Sequence, residues 1–391
     1  MTRKLFSRRR LLQFAGSLAA AGAVDPTLLA SGKSQMSKVE RVKAAVRGER
    51  VDRAPFTCWH HFGLEKQPGE KHAEATIEFY RRVDVDFLKV MSDFPYPVPQ
   101  GLEKISQPED WQRVEPLKNP FPEQIKALRS IHKELRGQAL FVETIFQSWN
   151  VAEKLSSKKD LTQLKETDPK LFKKVLRAIS ESQANHARLA MDAGAAGIFL
   201  AVSAADQFVT DSLDYMRMGR ESDLIILDAV KEKGMLNILH VHGKKPHWET
   251  LVAYPVQVIN YSTHGTAVGL TDARRKFTGT LMGGLNEEKI AHQTAEELAS
   301  DLEAATVSMQ KRRFILSPGC SVPNDIAPEA LLRLKELVQK GRSGRGYLRN
   351  SLGCQHFAHR LQHKIHFQRL LQGGVGAQHL RCPQESSVKS A

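Results

Sequence analysis

Two histidines and a cysteine carry the strongest chemical signal in the chain. In Ile238-Leu239-His240-Val241-His242-Gly243 a short apolar run ends in imidazoles at i and i+2. Alternate residues of a strand project to the same side, so both rings can converge on one point. A thiol at a second strand end, Cys320 in Ser317-Pro318-Gly319-Cys320, makes a third ligand. That is the number a catalytic zinc keeps while leaving a fourth position open. The competing reading is plainer: a His-x-His pair arises by chance, and a small cysteine fills core space.

For these residues to meet, the chain from Met36 to Lys340 must set strand ends side by side. Ser37 and Glu40 ahead of an apolar run predict a capped first helix that ends near Gly48. From there β-rich runs alternate with helix-period stretches such as 172–191 and 296–310. The runs begin at Phe56, Phe87, Leu140, Gly197, Asn237, Val256, Gly279 and Phe314 and close at Trp59, Met91, Glu143, Val202, Val241, Ile259, Met282 and Leu316. Eight strands, each followed by a helix, predict an α/β protein built as a single-domain (β/α)8 TIM barrel. A doubly wound open sheet is the rival, but no G-x-G-x-x-G or Walker loop follows the first run.

In such a barrel the site lies where the strands end. By that rule the first strand delivers His60 and His61, the second Ser92 and Asp93, the third Glu143, the fifth His240 and His242, the sixth Asn260 and the eighth Cys320. His60 and His61 are adjacent, so at most one reaches the mouth. Glu143 reads equally as an acid/base or orienting group and as half of a salt bridge. Asn260 either orients substrate or caps the following helix. Trp59 either flanks a flat ligand or packs the rim.

The net charge of +14 belongs to the ends of the chain. Ser7-Arg8-Arg9-Arg10-Leu11-Leu12-Gln13 opens an apolar stretch that closes on Ala21-Gly22-Ala23. It is too short to span a bilayer and resembles a twin-arginine signal peptide over 1–30, which predicts export to the periplasm. No second candidate span follows. The 341–391 segment holds five histidines and eight Lys or Arg against the single acid Glu385. Without aromatic platforms or a recognisable module it predicts a solvated, partly disordered tail and no specific nucleic-acid partner.

Several ordered motifs together resemble the uroporphyrinogen decarboxylase superfamily. They are Arg41-Val42-Lys43-Ala44-Ala45 with Arg53-Ala54-Pro55-Phe56, Asp86-Phe87-Leu88-Lys89-Val90-Met91-Ser92-Asp93, Gly194-Ala195-Ala196-Gly197-Ile198-Phe199, the His240–His242 segment, Val258-Ile259-Asn260, Met282-Gly283-Gly284-Leu285 and Pro318-Gly319-Cys320-Ser321-Val322-Pro323. The resemblance spans Val39 to Gln339 and implies a (β/α)8 barrel.

It also implies two chemistries. In the decarboxylases an Asp after the second strand holds pyrrole nitrogens, and Asp93 matches it. Their R-Q-A-G-R run, which grips the substrate's carboxylates, is replaced here by Cys58-Trp59-His60-His61-Phe62-Gly63. The second branch is similar to methylcobalamin:thiol methyltransferases, in which zinc sits on an H-x-C pair and a later Cys. His240 and Cys320 match two of those ligands, and His242 stands in for the first Cys. A neutral imidazole in place of a thiolate leaves the metal a stronger Lewis acid and a bound thiolate a poorer nucleophile, which shifts the expectation towards an oxygen substrate.

The resemblance therefore implies zinc-dependent one-carbon transfer, with zinc as cofactor, a corrinoid as methyl donor and a corrinoid protein as partner. The assigned catalytic residues are Asp93, His61 and Glu143, the substrate contacts His60, Trp59 and Asn260, and the metal ligands His240, His242 and Cys320. The alternatives are decarboxylation of a tetrapyrrole by Asp93 and a non-catalytic module that binds a tetrapyrrole or corrinoid. Cys58 and Cys320 fall on the first and last strands, so a disulfide between them competes with a metal. Free thiols are expected, because a barrel of this size needs no staple.

Overall fold

Seven strands run parallel in sequence order: β1 (Phe87–Val90), β2 (Leu140–Phe146), β3 (Ile198–Val202), β4 (Ile238–Val241), β5 (Val258–Tyr261), β6 (Thr280–Leu285) and β7 (Phe314–Pro318). The computed structural model describes residues 35–310 and 312–340, and the expected signal peptide and tail lie outside the described residues. The strands read as nearly continuous apolar runs because both faces of the sheet are covered. One set of alternating residues, Phe87, Val142, Phe199, Ile238, Val258, Met282 and Ile315, packs with Trp59 and Met91 into an inner core. The other set, including Leu88, Phe141, Leu200, Leu239, Ile259, Leu281 and Leu316, packs against the surrounding helices.

The eighth stave is a single bridge where the sequence predicts a strand. Phe56 pairs in parallel with Leu316 of β7, and the Asp86 amide just ahead of β1 donates to the Phe56 carbonyl at 2.7 Å. Thr57 Oγ1 donates to the Phe87 carbonyl at 2.8 Å, so this segment spans the gap between β7 and β1. It cannot extend into a full ladder. Pro55 has no N–H, and the Phe56 N–H goes to the Asp86 carboxylate at 2.7 Å.

Asp86 also binds two buried guanidinium groups. Arg41 Nη1 lies 2.7 Å from Oδ1, and Arg53 donates from Nη1 at 2.5 Å and Nη2 at 3.0 Å. Arg41 projects from α1 (Lys38–Arg47), whose Ser37–Glu40 capping box forms as the sequence predicts and whose end is turned by Gly48 at φ 78. The lower end of the barrel is thereby tied to the N-terminal helix.

Two strands run further than the sequence suggests. β2 continues past Glu143 to Phe146, and β5 runs to Tyr261, so Glu143 and Asn260 sit within strands rather than beyond their ends. The remaining helices that matter for the site are α2 (Gly69–Val83) and α3 (Pro122–Leu135), followed by α4 (Ser148–Leu155), α5 (Lys158–Thr167) and the long α6 (Pro169–Asp192). Among the described residues no helix is long and apolar enough to cross a membrane.

Candidate functional site

A cavity of about 220 Å3 opens at the C-terminal ends of the strands, with His240, His242 and Cys320 on one wall and Trp59, His61 and Lys89 among the others. It has room for a small molecule and lies below the span of drug-sized sites. Among the described residues no arginine lines it.

The donor atoms of His240, His242 and Cys320 lie within 4.8 Å of one another. β4 supplies both histidines by strand alternation, and the turn after β7 supplies the thiol. The His240 ring is stacked on Phe199 with centroids 5.1 Å apart. Its Nδ1 lies 2.6 Å from Asn260 Oδ1.

The amide orientation of Asn260 is fixed, because its Nδ2 donates to the Met282 carbonyl, Ser317 Oγ and the Pro318 carbonyl. Oδ1 therefore faces the imidazole and accepts the Nδ1–H, so Nε2 is the nitrogen turned to Cys320: protonated, it donates to the thiolate, and deprotonated, it would ligate a metal. Burial pushes the Cys320 thiol up, but hydrogen bonds from His240 and His242 outweigh it and bring the thiol down to about 4. A hydrogen bond to Cys320 raises His242 in return. Two imidazoles and a thiolate, with one imidazole held in its ligating tautomer, fit a zinc ion that retains an open position.

Across the cavity, His61 Nδ1 lies 2.6 Å from Asp93 Oδ1. Burial works against the Asp93 carboxylate, but His61, the Phe62 amide and His72 bring it below its ordinary value. An ionised carboxylate only accepts, so His61 Nδ1 donates and its Nε2 is free on a ring that is 38% exposed. Asp93 itself is 1% exposed at the side chain and is spent on His61 and on the Phe62 N–H.

Sequence reasoning did not single out His72. This α2 residue is fully buried with Nε2 4.0 Å from Asp93 Oδ2, and neither ring nitrogen has a hydrogen-bond partner among the described residues. Burial lowers its pKa.

Lys89 was quoted only within a motif, yet it lines the cavity and is 6% exposed. Burial brings its ammonium down to about 7. The available signal was a cation inside the apolar run Phe87–Met91, at the same strand parity as the inner core residues Phe87 and Met91.

Three expected site residues stand elsewhere. Glu143 faces the helices, where it meets His186 of α6 at 2.9 Å and Gln124 of α3 at 2.9 Å. Burial raises its pKa despite those bonds. His60 turns away from the cavity lining, with Nδ1 donating to the His61 carbonyl and the ring edge-on to Phe62 and Phe79. Asn260 stands behind His240 and touches no cavity surface. Trp59 does line the cavity, in edge contact with Phe199 at 5.3 Å. Cys58 and Cys320 are both free thiols.

A sequence model of the family described as uroporphyrinogen decarboxylase (URO-D) matches residues 37–341. Among solved structures, a methyltransferase from Methanosarcina mazei is similar at a TM-score of 0.61 and 13% identity, over 78% of this chain and 99% of that one. A B12-independent methionine synthase from Shewanella sp. W3-18-1 is similar at a TM-score of 0.51 and 12% identity, over 77% of this chain and 95% of that one. At these identities the likeness is one of fold. No curated protein sequence matches.

Proposed function

The chain belongs to the uroporphyrinogen decarboxylase family, and from that premise we propose that it is a zinc-dependent enzyme that transfers a methyl group from a corrinoid to a small acceptor. The observation that carries this reading is the convergence of His240, His242 and Cys320 on one point, with Asn260 fixing the His240 tautomer. His240, His242 and Cys320 would hold the zinc ion, which would supply a Lewis acid favouring the deprotonated form of the acceptor's sulfur or oxygen.

The chain's own groups supply the rest. His61 Nε2 takes the acceptor's proton, while Asp93 holds the ring and stabilises the imidazolium that results. Trp59 and Phe199 form an apolar wall that excludes water from the reacting atoms. The acceptor's sulfur or oxygen forms the new bond to the methyl carbon, and the electron pair of the broken bond stays with the corrinoid. With only one anionic ligand, the set favours an oxygen acceptor over a thiol. A corrinoid-bearing protein is the partner that would present the donor at the mouth.

Decarboxylation of a tetrapyrrole is disfavoured by two observations. The Asp93 oxygens are committed to His61 and Phe62, and among the described residues no arginine stands in the cavity wall to grip carboxylates. The Arg8–Arg10 pattern supports a twin-arginine route that would deliver the folded, metal-loaded protein to the periplasm.

The test is metal content together with turnover. Purified protein should contain close to one zinc per chain, His240→Ala should lose it, and demethylation of methylcobalamin should cease when the zinc is chelated. Conversion of uroporphyrinogen that survives chelation would overturn the proposal. Tight corrinoid binding with no product would reduce the protein to a binding module.

A further inference from the structure

Lys89 is a buried amine with no charged partner in direct contact among the described residues. It projects from β1 towards the barrel interior, and among the described residues no carboxylate lies within ion-pair distance of its Nζ. Cys320, Glu143 and Asp93, in that order, act on it only through space; the Cys320 sulfur is engaged by His240 and His242, and the two carboxylates are occupied, by His186 with Gln124 and by His61 with Phe62.

Its surroundings are apolar. Nζ lies 4.8 Å from the centroid of Phe199 and 5.4 Å from that of Trp59, and its hydrogen-bond partner is the Met91 sulfur, a weak acceptor. Two N–H donors are left over. An isolated ammonium in such a place is costly, and a methionine or leucine would fill the same space without that cost. Ring faces offset part of it by cation–π attraction but accept no hydrogen bond.

The ammonium shares a wall with the candidate ligands. Phe199 touches Lys89 and stacks on His240, so one ring separates the cation from the metal-binding imidazole. Both face the same cavity. We infer that Lys89 is an anion anchor: it binds a carboxylate or similar anionic group at one end of the methyl acceptor, whose nucleophilic end is held at His240, His242 and Cys320. This rests on the methyl-transfer reading for the second end of the acceptor only. The charge pairing stands on Lys89 alone. A bound anion supplies a counter-charge in direct contact, accepts the two free N–H groups and opposes the depression of the lysine's pKa.

The acceptor is therefore a short bifunctional acid rather than a neutral alcohol or thiol. The spacing between its two ends decides which chain length fits.

Calorimetric titration tests the anchor. The probes for zinc-loaded protein are mercaptoacetate, 3-mercaptopropionate and 4-mercaptobutyrate, set against neutral 2-mercaptoethanol. Thiols are used because sulfur binds such a zinc strongly, whatever the natural donor atom. At least one acid should bind about tenfold or more tighter than the neutral thiol. Lys89→Met should erase that preference while keeping zinc content and affinity for 2-mercaptoethanol, and Lys89→Arg should restore part of it.

A second pair of probes separates this inference from the metal reading. Propionate against 1-propanol should show the same Lys89-dependent preference in a His240→Ala, Cys320→Ala protein that holds no metal. If that preference persists while wild-type protein takes up no zinc, the anchor stands and the methyl-transfer reading falls. If wild-type protein binds acids and neutral analogues equally, or if Lys89→Met leaves the preference intact, the anchor is overturned. The wild-type comparison needs no variant, so it holds even if a substitution at Lys89 fails to fold.

Discussion

Asn260 Oδ1 accepts the Nδ1–H of His240 at 2.6 Å, and the same amide gives its protons to Met282, Ser317 and Pro318. One side chain thus joins β4 to β5, β6 and β7 and sets which nitrogen of the imidazole is free. Partners of this kind typically change metal affinity about 10–100-fold when removed. Asn260→Ala should weaken zinc binding by that order with the barrel still folded, as read by competition with a chromophoric chelator. Asn260→Asp should be worse for stability, because a carboxylate would face the carbonyl oxygens of Met282 and Pro318. Unchanged zinc affinity in Asn260→Ala would remove the orienting role.

Cys320 offers a test that needs no substrate. Although burial opposes ionisation, His240 and His242 bring the thiol to about 4, so in metal-free protein it should stay a thiolate well below pH 7. Cys58 lies in the core, where burial pushes its thiol far up. Iodoacetamide labelling followed by mass spectrometry should modify Cys320 at pH 5–6 and spare Cys58 in the folded state. Added zinc should protect Cys320. Labelling of Cys320 that rises only around pH 8–9, like that of a free thiol, would contradict the assignment.

The His61–Asp93 pair predicts a split between chemistry and binding. Asp93→Asn keeps a group that can accept from Nδ1 but no longer stabilises the imidazolium. Methyl transfer should fall by about 10²–10⁴-fold in kcat, the range for a general base, with zinc content and KM little changed. Rate and metal lost together would instead mark Asp93 as structural.

The clustering of His240, His242 and Cys320 was legible because strand alternation and a second strand end suffice to bring the three together. Glu143 and Asn260 were assigned to the barrel mouth because the third run was closed at Glu143 and the sixth at Ile259, short of where the strands end. In the fold each stays inside its strand, since a partner across the sheet or on a helix satisfies it: His186 for Glu143 and His240 for Asn260. The first predicted strand shrank to one bridge because Phe56 gives its N–H to Asp86, a pairing between residues far apart in sequence. The approach of His72 to Asp93 depends on how α2 packs, which no local pattern encodes. Lys89 could have been found by asking what a cation does within a buried strand.

A second buried carboxyl predicts how stability varies with pH. Burial pushes Asp223 up to about 7, although Tyr215, Tyr254 and Gln147 all donate to it. It lies on the helix Arg220–Asp228, following the π-helical turn Tyr215–Gly219. Its folded pKa stands above the unfolded value near 4. Between those values the native state holds a proton that the unfolded chain has released. This contribution is therefore full below about pH 4 and lost as pH rises to about 7. Asp223→Asn should flatten that part of the urea-stability profile and leave the variant at least as stable as wild type at pH 8. A wild-type profile that rises from pH 5 to 7 and is unaffected by the substitution would show that Asp223 is ionised in the fold.

The clasp beneath the barrel should matter for stability and not for chemistry. Asp86 accepts from Arg41, Arg53 and the Phe56 amide while fully buried. Asp86→Ala leaves Arg53 without a carboxylate and Arg41 with only Asp52, and it frees the segment that closes the ring between β7 and β1. Breaking a buried pair in this way costs about 3–5 kcal/mol, which should lower the urea midpoint markedly. Because the clasp sits at the opposite end of the strands from the cavity, the folded fraction should still bind zinc with wild-type affinity. Loss of zinc affinity in protein that remains folded would mean that closure of the eighth stave sets the position of Cys320, which follows the strand it pairs with.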